Sequence, residues 1–251
     1  MFWWLMKYVF LGPLLRLMYR PKAVGLENVP ADGPAILAAN HQSFLDDLLL
    51  PLVVPNRKVV FLAKAEYVDK WYLRWFFKGA NVIPVRRQSR SGAEAAIQAG
   101  VQALREGKLV GIFPEGTRSP DGRLYRGKTG VARMALEAQV PIIPVAITGT
   151  FEAMPYHQKM PKPGRVEIRF GGPLRFDRHY DTPTDRFVLR SVTDELMYEI
   201  MMQSGQEYVD EYASTLKGEL ARTERGGQEA SQQPAGASTG APSSAKPASH
   251  A

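Results

Sequence analysis

Residues 35–50 read AILAANHQSFLDDLLL. The first six are an apolar run of strand length, and from Ser43 onward the spacing of apolar residues turns helical. The same change of period recurs along the chain. Strand-length apolar runs stand at VVFLAK (59–64), NVIPVR (81–86), LVGIFP (109–114), IIPVAIT (142–148) and VEIRF (166–170). Helix-like stretches separate them, from about 67 to 78, 91 to 106, 129 to 139, and 184 towards 219. Strands alternating with helices predict a single layered α/β domain, with a largely buried mixed sheet flanked by helices. No internal repeat is visible.

Composition narrows the chemistry. The chain has 251 residues, 45% hydrophobic and 23% charged, which suits a globular domain and not a mostly disordered one. It contains no cysteine, so disulfides, a thiolate nucleophile, Cys-ligated zinc and iron–sulfur clusters are excluded. The 32 Lys and Arg exceed the 25 Asp and Glu, for a net charge of +7. From Gly226 onward there is no Leu, Ile, Val, Met or aromatic residue, and Glu229 cancels Lys246. Such a segment cannot bury enough apolar surface to offset its ordering entropy, so 226–251 is expected to be a disordered tail. The whole +7 therefore falls on residues 1–225. It fits an anionic surface or an anionic substrate.

The first twenty residues, MFWWLMKYVFLGPLLRLMYR, hold three basic residues, no acid, and a dense set of aromatics. A secretory signal is a poor fit, with no basic region ahead of the apolar run and no small-residue cleavage site. Phe2 to Tyr19 as a helix would reach roughly 27 Å, against a bilayer core of roughly 30 Å, with Lys7 and Pro13 inside it. Lys7 and Arg16 would fall on opposite sides of a regular helix. Aromatic segments flanked by basic residues suit the lipid–water interface. Residues 1–22 are thus expected to form a membrane-interface helix and 23–225 the α/β domain. Packing against the domain's own core is the alternative for the helix. A second stretch, Lys70 to Lys78, sets Lys70, Arg74 and Lys78 on one helix face beside Trp71 and Trp75.

Two constellations carry chemistry. In Asn40-His41-Gln42-Ser43-Phe44-Leu45-Asp46, a histidine just past a strand precedes a carboxylate by five residues. Asp46 can hold one imidazole nitrogen protonated and leave the other as a base. Ser43-x-x-Asp46 also reads as a helix capping box, and the two roles are compatible. No serine elbow accompanies the pair, so the attacking group is expected to belong to the substrate. The second constellation, Phe113-Pro114-Glu115-Gly116-Thr117-Arg118-Ser119, follows the strand LVGIFP, where α/β domains place ligands. Gly116 permits close backbone approach, Thr117 brings a hydroxyl, and Arg118 a planar fork suited to phosphate.

Two formal motif matches carry less. Gly122 to Thr129 fits the phosphate-loop pattern, but Gly122 lies eight residues beyond Pro114, the interior is bulky, and no apolar strand ends in an aspartate for magnesium. Gly236-Ala-Ser238-Thr-Gly240 fits the nucleophile-elbow pattern but sits in the tail.

With the two constellations about 70 residues apart and in this order, the chain resembles the glycerolipid acyltransferases, in particular their 1-acylglycerol-3-phosphate acyltransferase branch. The family's His-x4-Asp block matches His41 and Asp46, and its Pro-Glu-Gly-Thr-Arg-Ser block matches Pro114 to Ser119. Its second block, an apolar run ending in arginine, resembles Val82 to Arg87. Asn81 stands where that block often opens with glycine, so Arg86 competes with Arg87 for the arginine's place. Val140 to Val145 resembles the fourth block, here read first as a buried strand. Lys64 resembles a family lysine near the substrate phosphate. The likeness spans about residues 25–150.

The resemblance implies transfer of an acyl group from acyl-CoA or acyl carrier protein to the free hydroxyl of lysophosphatidic acid, giving phosphatidic acid. His41 would be the base and Asp46 its orienting partner. Arg118, Lys64 and Arg87 would hold the acceptor phosphate. Glu115 would order the loop or bind acceptor hydroxyls, and Thr117 would add a contact. No metal or cofactor is implied beyond the acyl thioester co-substrate. The expected setting is the cytoplasmic face of the cell membrane, with peripheral or monotopic attachment to an anionic surface. Another lysolipid or polar-lipid acceptor is the alternative within the class, and a non-catalytic anionic-lipid-binding protein the alternative outside it. Nucleic acid is not an expected partner, since the basic residues cluster with aromatics rather than forming a nucleic-acid module.

Overall fold

The central strand of the sheet is Ala35–Ala39 (β2), and all five of its residues are buried. Alternate side chains enter two different cores. Ala35, Leu37 and Ala39 join the cluster that contains Leu45, Leu49 and Leu50, whereas Ile36 and Ala38 join the one that contains Leu104, Leu136 and Leu196. A strand buried on both faces has no polar side to alternate with, which is why AILAA reads as an unbroken apolar run.

Around β2 the strands Lys22–Val24 (β1), Val59–Lys64 (β3), Ile83–Val85 (β4), Leu109–Ile112 (β5), Ile142–Thr148 (β7) and Glu167–Phe170 (β8) complete a seven-stranded sheet in the order β1-β8-β7-β2-β5-β3-β4. Only the β7–β8 pair is antiparallel, so the sheet is mixed. Leu124–Tyr125 (β6) and Tyr208–Val209 (β9) form a separate two-stranded ladder. The described residues of this computed structural model are 2–64, 83–85, 90–156, 158 and 160–218. The basic and aromatic stretch 70–78, Arg86 and Arg87, and the segment from Gly226 lie outside them. Everything below concerns a unit of Met1–Leu216; of a second unit, Lys217–Ala251, only residues 217 and 218 are described.

One face of the sheet is covered by Phe44–Val53 (α3) and by the N-terminal helix, the other by Arg90–Arg105 (α4), Gly130–Ala138 (α5) and Arg186–Ser204 (α7). A further short helix, Thr150–Ala153 (α6), follows β7. Each fully buried leucine in these layers contributes about 1.5–3 kcal/mol of transfer free energy. The mixed α/β fold thus agrees with the apolar periodicity, and three strand runs were missed by it. β1, β6 and β9 are two or three residues long and carry no apolar alternation to read. The stretch read as helical towards Glu219 is interrupted, with helix resuming at Ala213, so α7 stops short of the expected end. It ends at Ser204 because Gly205 closes it in the left-handed conformation (φ 68°).

The N-terminal helix runs as Phe2–Leu5 (α1), a π-helical segment Met6–Phe10, and Leu11–Tyr19 (α2). Leu15 and Tyr19 belong to the core under α3, while Leu5, Val9, Phe10, Leu14 and Leu17 are exposed. The π-helical turn has a sequence cause. Pro13 lacks the N–H that an α-helix would spend on residue 9, and at Gly12 the chain lies so close to the Lys7 carbonyl that a Cβ would overlap it at 1.6 Å. A π turn winds less per residue than the 100° of an α-helix. It brings Lys7 round to the side of Arg16, where a regular helix would have opposed them. Among the described residues no helix is long and apolar enough to cross a membrane.

Candidate active site

β2 and β5 are parallel neighbours, with Ala35 opposite Leu109 and Ala38 opposite Ile112. The loops that follow them therefore leave the sheet at the same edge, and that edge joins two motifs 70 residues apart. His41 stands on the first loop, and its imidazole is held on two sides. Its Nδ1 lies 3.0 Å from Asp46 Oδ2, and its ring stacks on Phe113 at 3.9 Å between centroids, 14° from parallel. Phe113 stacks in turn on Phe61, at 5.8 Å. Among the described residues no protein group bonds His41 Nε2.

Asp46 is fully buried. Its Oδ2 accepts the backbone N–H groups of Gln42 (2.7 Å) and Ser43 (2.8 Å) as well as the His41 contact. Ser43 caps α3, with its Oγ accepting from Leu45 N at 3.3 Å, so the capping box and the His–Asp pair coexist. The cap serves the chemistry by fixing the carboxylate. A carboxylate with two backbone donors cannot swing away from the ring. With Asp46 accepting from Nδ1–H, the imidazole tautomer leaves Nε2 as the basic nitrogen. Ser43 Oγ itself donates to Met154 O at 2.8 Å, which occupies the hydroxyl.

Glu115 is also buried, and both its oxygens receive backbone donors: Oε2 from His41 N at 2.8 Å, and Oε1 from Tyr125 N at 3.0 Å. Of the two roles open to it from sequence, this geometry favours ordering the loops. Ser119 N–H adds a 2.7 Å bond to His41 O, so the His41 loop is tied to its neighbour at both its N–H and its C=O. Gly116 is left-handed (φ 72°), and a Cβ there would sit 3.1–3.2 Å from the Lys128 side chain. Beyond the loop, Asp121, Arg123 and Tyr125 form a hydrogen-bonded cluster. Burial and the bond it donates to Asp121 push the Tyr125 hydroxyl up to about 12, so it remains a donor at neutral pH.

Arg118 extends from the same loop and lies 4.9 Å over the Tyr156 ring, a cation–π contact that pre-orients the guanidinium. Lys64 closes β3, parallel to β5 and beside β4, so its backbone reaches the same sheet edge as His41. Arg87 and its rival Arg86 lie outside the described residues. Within the block Val140 to Val145, residues Ile142 to Val145 are buried in β7, as the composition suggested. The phosphate-loop match from Gly122 to Thr129 contains strand β6, with Leu124 and Tyr125 fully buried, and so is not a nucleotide cradle.

Gln42 and Gln206 have no role in the sequence reading, and Asn40 stands in the first motif without one. Asn40 is fully buried; its Oδ1 accepts from Ile147 N (2.7 Å), and its Nδ2 donates to Ile147 O (2.9 Å) and Gln206 Oε1 (2.7 Å). Gln206 and Gln42 both donate to Gly122 O, at 2.7 and 3.1 Å. These amides lock the start of the His41 loop to the segment after α7. Among the described residues no group of three or more His, Asp or Glu could hold a metal ion.

A family model described as Acyltransferase matches residues 20–148. A chloroplastic 1-acyl-sn-glycerol-3-phosphate acyltransferase of Brassica napus is 33% identical over 138 residues, covering 55% of this chain and 40% of that one. The 1-acyl-sn-glycerol-3-phosphate acyltransferase of Bacillus subtilis is 30% identical over 154 residues, covering 61% of this chain and 73% of that one. The match spans about two fifths of the length of the plant relatives. Among solved structures, the crystal structure of the 1-acyl-sn-glycerophosphate acyltransferase of Thermotoga maritima is similar, with a TM-score of 0.64 at 26% identity. It covers 80% of this chain and 78% of that one.

Proposed function

For a chain that belongs to the acyltransferase family, as the match over residues 20–148 places it, we propose transfer of a fatty acyl group from an acyl thioester to the free hydroxyl of 1-acylglycerol-3-phosphate, yielding phosphatidic acid. The observation that carries the reading is the His41–Asp46 pair, its Nε2 without a protein partner among the described residues, on a loop clamped by Glu115. The relatives' printed names supply the acceptor.

The acceptor hydroxyl gives its proton to His41 Nε2 as its oxygen attacks the thioester carbonyl. The tetrahedral intermediate collapses, the C–S bond breaks, and the imidazolium returns its proton to the departing thiolate. No acyl-enzyme forms: the chain has no cysteine, and Ser43 is committed to the Met154 carbonyl. Asp46 stabilises the imidazolium as it forms. No metal or further cofactor takes part. Arg118, Lys64 and Arg87 hold the acceptor phosphate and so align the hydroxyl with His41, a positioning contribution. The exposed apolar residues of the N-terminal helix support peripheral attachment to a membrane, which this reading sets at its cytoplasmic face.

Purified protein supplied with labelled acyl-CoA or acyl carrier protein thioesters and a panel of lysolipids tests this reading, with products identified by mass. Acylated lysophosphatidic acid is the expected product; another acylated lysolipid would move the acceptor, and no product with either donor would remove the activity. In the same assay Arg118→Ala is expected to raise the acceptor KM by about 10- to 100-fold, the equivalent of one charge-assisted bond of about 1.5–3 kcal/mol. The donor KM should barely change. A shift in the donor KM instead would show that Arg118 serves the thioester.

A further inference from the structure

Between the N-terminal helix and the far end of α3 lies a groove of about 590 Å³, lined in part by Lys7, Tyr8, Arg16, Arg20, Leu52 and Val53. Among the described residues three cations line it and no carboxylate does; the first acidic residue of the chain is Glu27. Among the described residues Arg16 and Arg20 form no ion pair. Lys7 is buried, and its ammonium donates to Pro51 O at 3.0 Å and to Val54 O, two carbonyls at the C-terminus of α3. Burial, and after it the charge of Arg16, pushes Lys7 down to about 8. Two arginines that share a groove repel one another, and an anion between Arg16 and Arg20 would relieve that repulsion.

Two backbone features bring these cations together. The π segment swings Lys7 to the side of Arg16. Arg20 is left-handed (φ 43°, ψ 53°) directly before Pro21, where glycine would be cheaper and where a proline crowds the preceding residue out of helical conformations. A non-glycine residue held there is strained, and strain of this kind gathers at binding sites. The groove is also flanked by surface that favours lipid: Val9, Phe10, Leu14 and Leu17 are exposed on the same helix. Its position separates it from the catalytic pair. Asp46 is in the first turn of the ten-residue α3, and the groove's Leu52 and Val53 are at its other end, roughly 10 Å along the axis.

We propose that this groove is a binding site for the phosphate of an anionic membrane lipid, which seats the N-terminal helix on the bilayer through one defined headgroup contact distinct from the acceptor-phosphate site. Arg16 and Arg20 supply planar forks for the phosphate oxygens, Lys7 supplies a fixed positive charge behind them, and the exposed side chains enter the acyl region beside it. The proposal rests on the membrane attachment put forward above, and it is tested by binding, without turnover.

The test is flotation of the full-length chain with phosphatidylcholine vesicles carrying either phosphatidic acid or oleate at matched surface charge. The wild type is expected to bind the phosphatidic acid vesicles about 10-fold more tightly than the oleate vesicles. Arg16 and Arg20 are exposed, so an R16Q/R20Q double variant keeps its fold, and its preference should fall to about one. Equal binding to the two vesicles by the wild type would mean general charge attraction and would overturn the site. A preference that survives in R16Q/R20Q would place phosphate recognition elsewhere, the active site included, and would also overturn it. Inorganic phosphate, added at constant ionic strength, should not displace the protein; displacement would make free phosphate the ligand. Turnover of R16Q/R20Q on detergent-dispersed lysophosphatidic acid should equal the wild type's, so a failure of the proposed activity would be visible separately.

Discussion

Alanine at position 41 is expected to lower the turnover number for acyl transfer by about 10²- to 10⁴-fold, the range that a positioned general base contributes. The substitution removes the imidazole and little else. The loop's ties to Glu115 and Ser119 are made by the His41 backbone N–H and C=O, so they survive the loss of the side chain. Phe113 loses a stacking partner but keeps Phe61. Asp46 retains its backbone donors from Gln42 and Ser43. The loss should therefore appear in kcat, with vesicle binding and thermal stability close to wild type. It separates the enzymatic reading from a lipid-binding protein that carries the same basic and aromatic helix without using His41. Wild-type turnover in the variant would sink the general-base mechanism.

Much of this was open to reading along the chain, for a local reason. The ends of β3 and β7 coincide with their apolar runs because both strands are bounded by polar or turn residues. The His41–Asp46 pair was legible because both residues sit on one strand-to-helix turn, five positions apart, where spacing alone brings them together. Contacts closed by the fold were not legible. Glu115 reaches His41 across 74 residues, and Gln206 reaches Asn40 across 166; nothing in a buried glutamate's or glutamine's neighbours along the chain names its partner. The groove was hidden for a different reason. A helix wheel built on 3.6 residues per turn sets Lys7 against Arg16, and only the Gly12-Pro13 pair signals that the winding changes there.

Asparagine at position 46 probes the other half of the His41–Asp46 pair, and its effect is expected to reach both activity and stability. Asp46 Oδ2 is the shared acceptor for His41 Nδ1, Gln42 N and Ser43 N, while Oδ1 is buried without a partner among the described residues. An amide that keeps its oxygen in the Oδ2 position retains these bonds in weaker, uncharged form, and its NH₂ enters the unpartnered side. Loss of the charge-assisted contribution should cost about 1–3 kcal/mol of folding free energy, visible as a lower Tm at neutral pH. In the opposite rotamer the NH₂ faces two backbone N–H donors and His41 Nδ1, which would force the proton onto Nε2 and remove the base. The first arrangement avoids that clash, yet it still leaves the forming imidazolium without its counter-charge. The expected result is a fall in kcat of about 10²-fold or more, with the KM of donor and acceptor nearly unchanged, because Asp46 is buried behind His41 and has no exposed surface to offer a substrate. The split between kcat and KM distinguishes this from a loss of folded protein, which would reduce apparent kcat only in proportion to the unfolded fraction seen by circular dichroism. A folded Asp46→Asn protein with wild-type kcat would mean that the carboxylate serves only as the helix cap, and that His41 needs no partner to act.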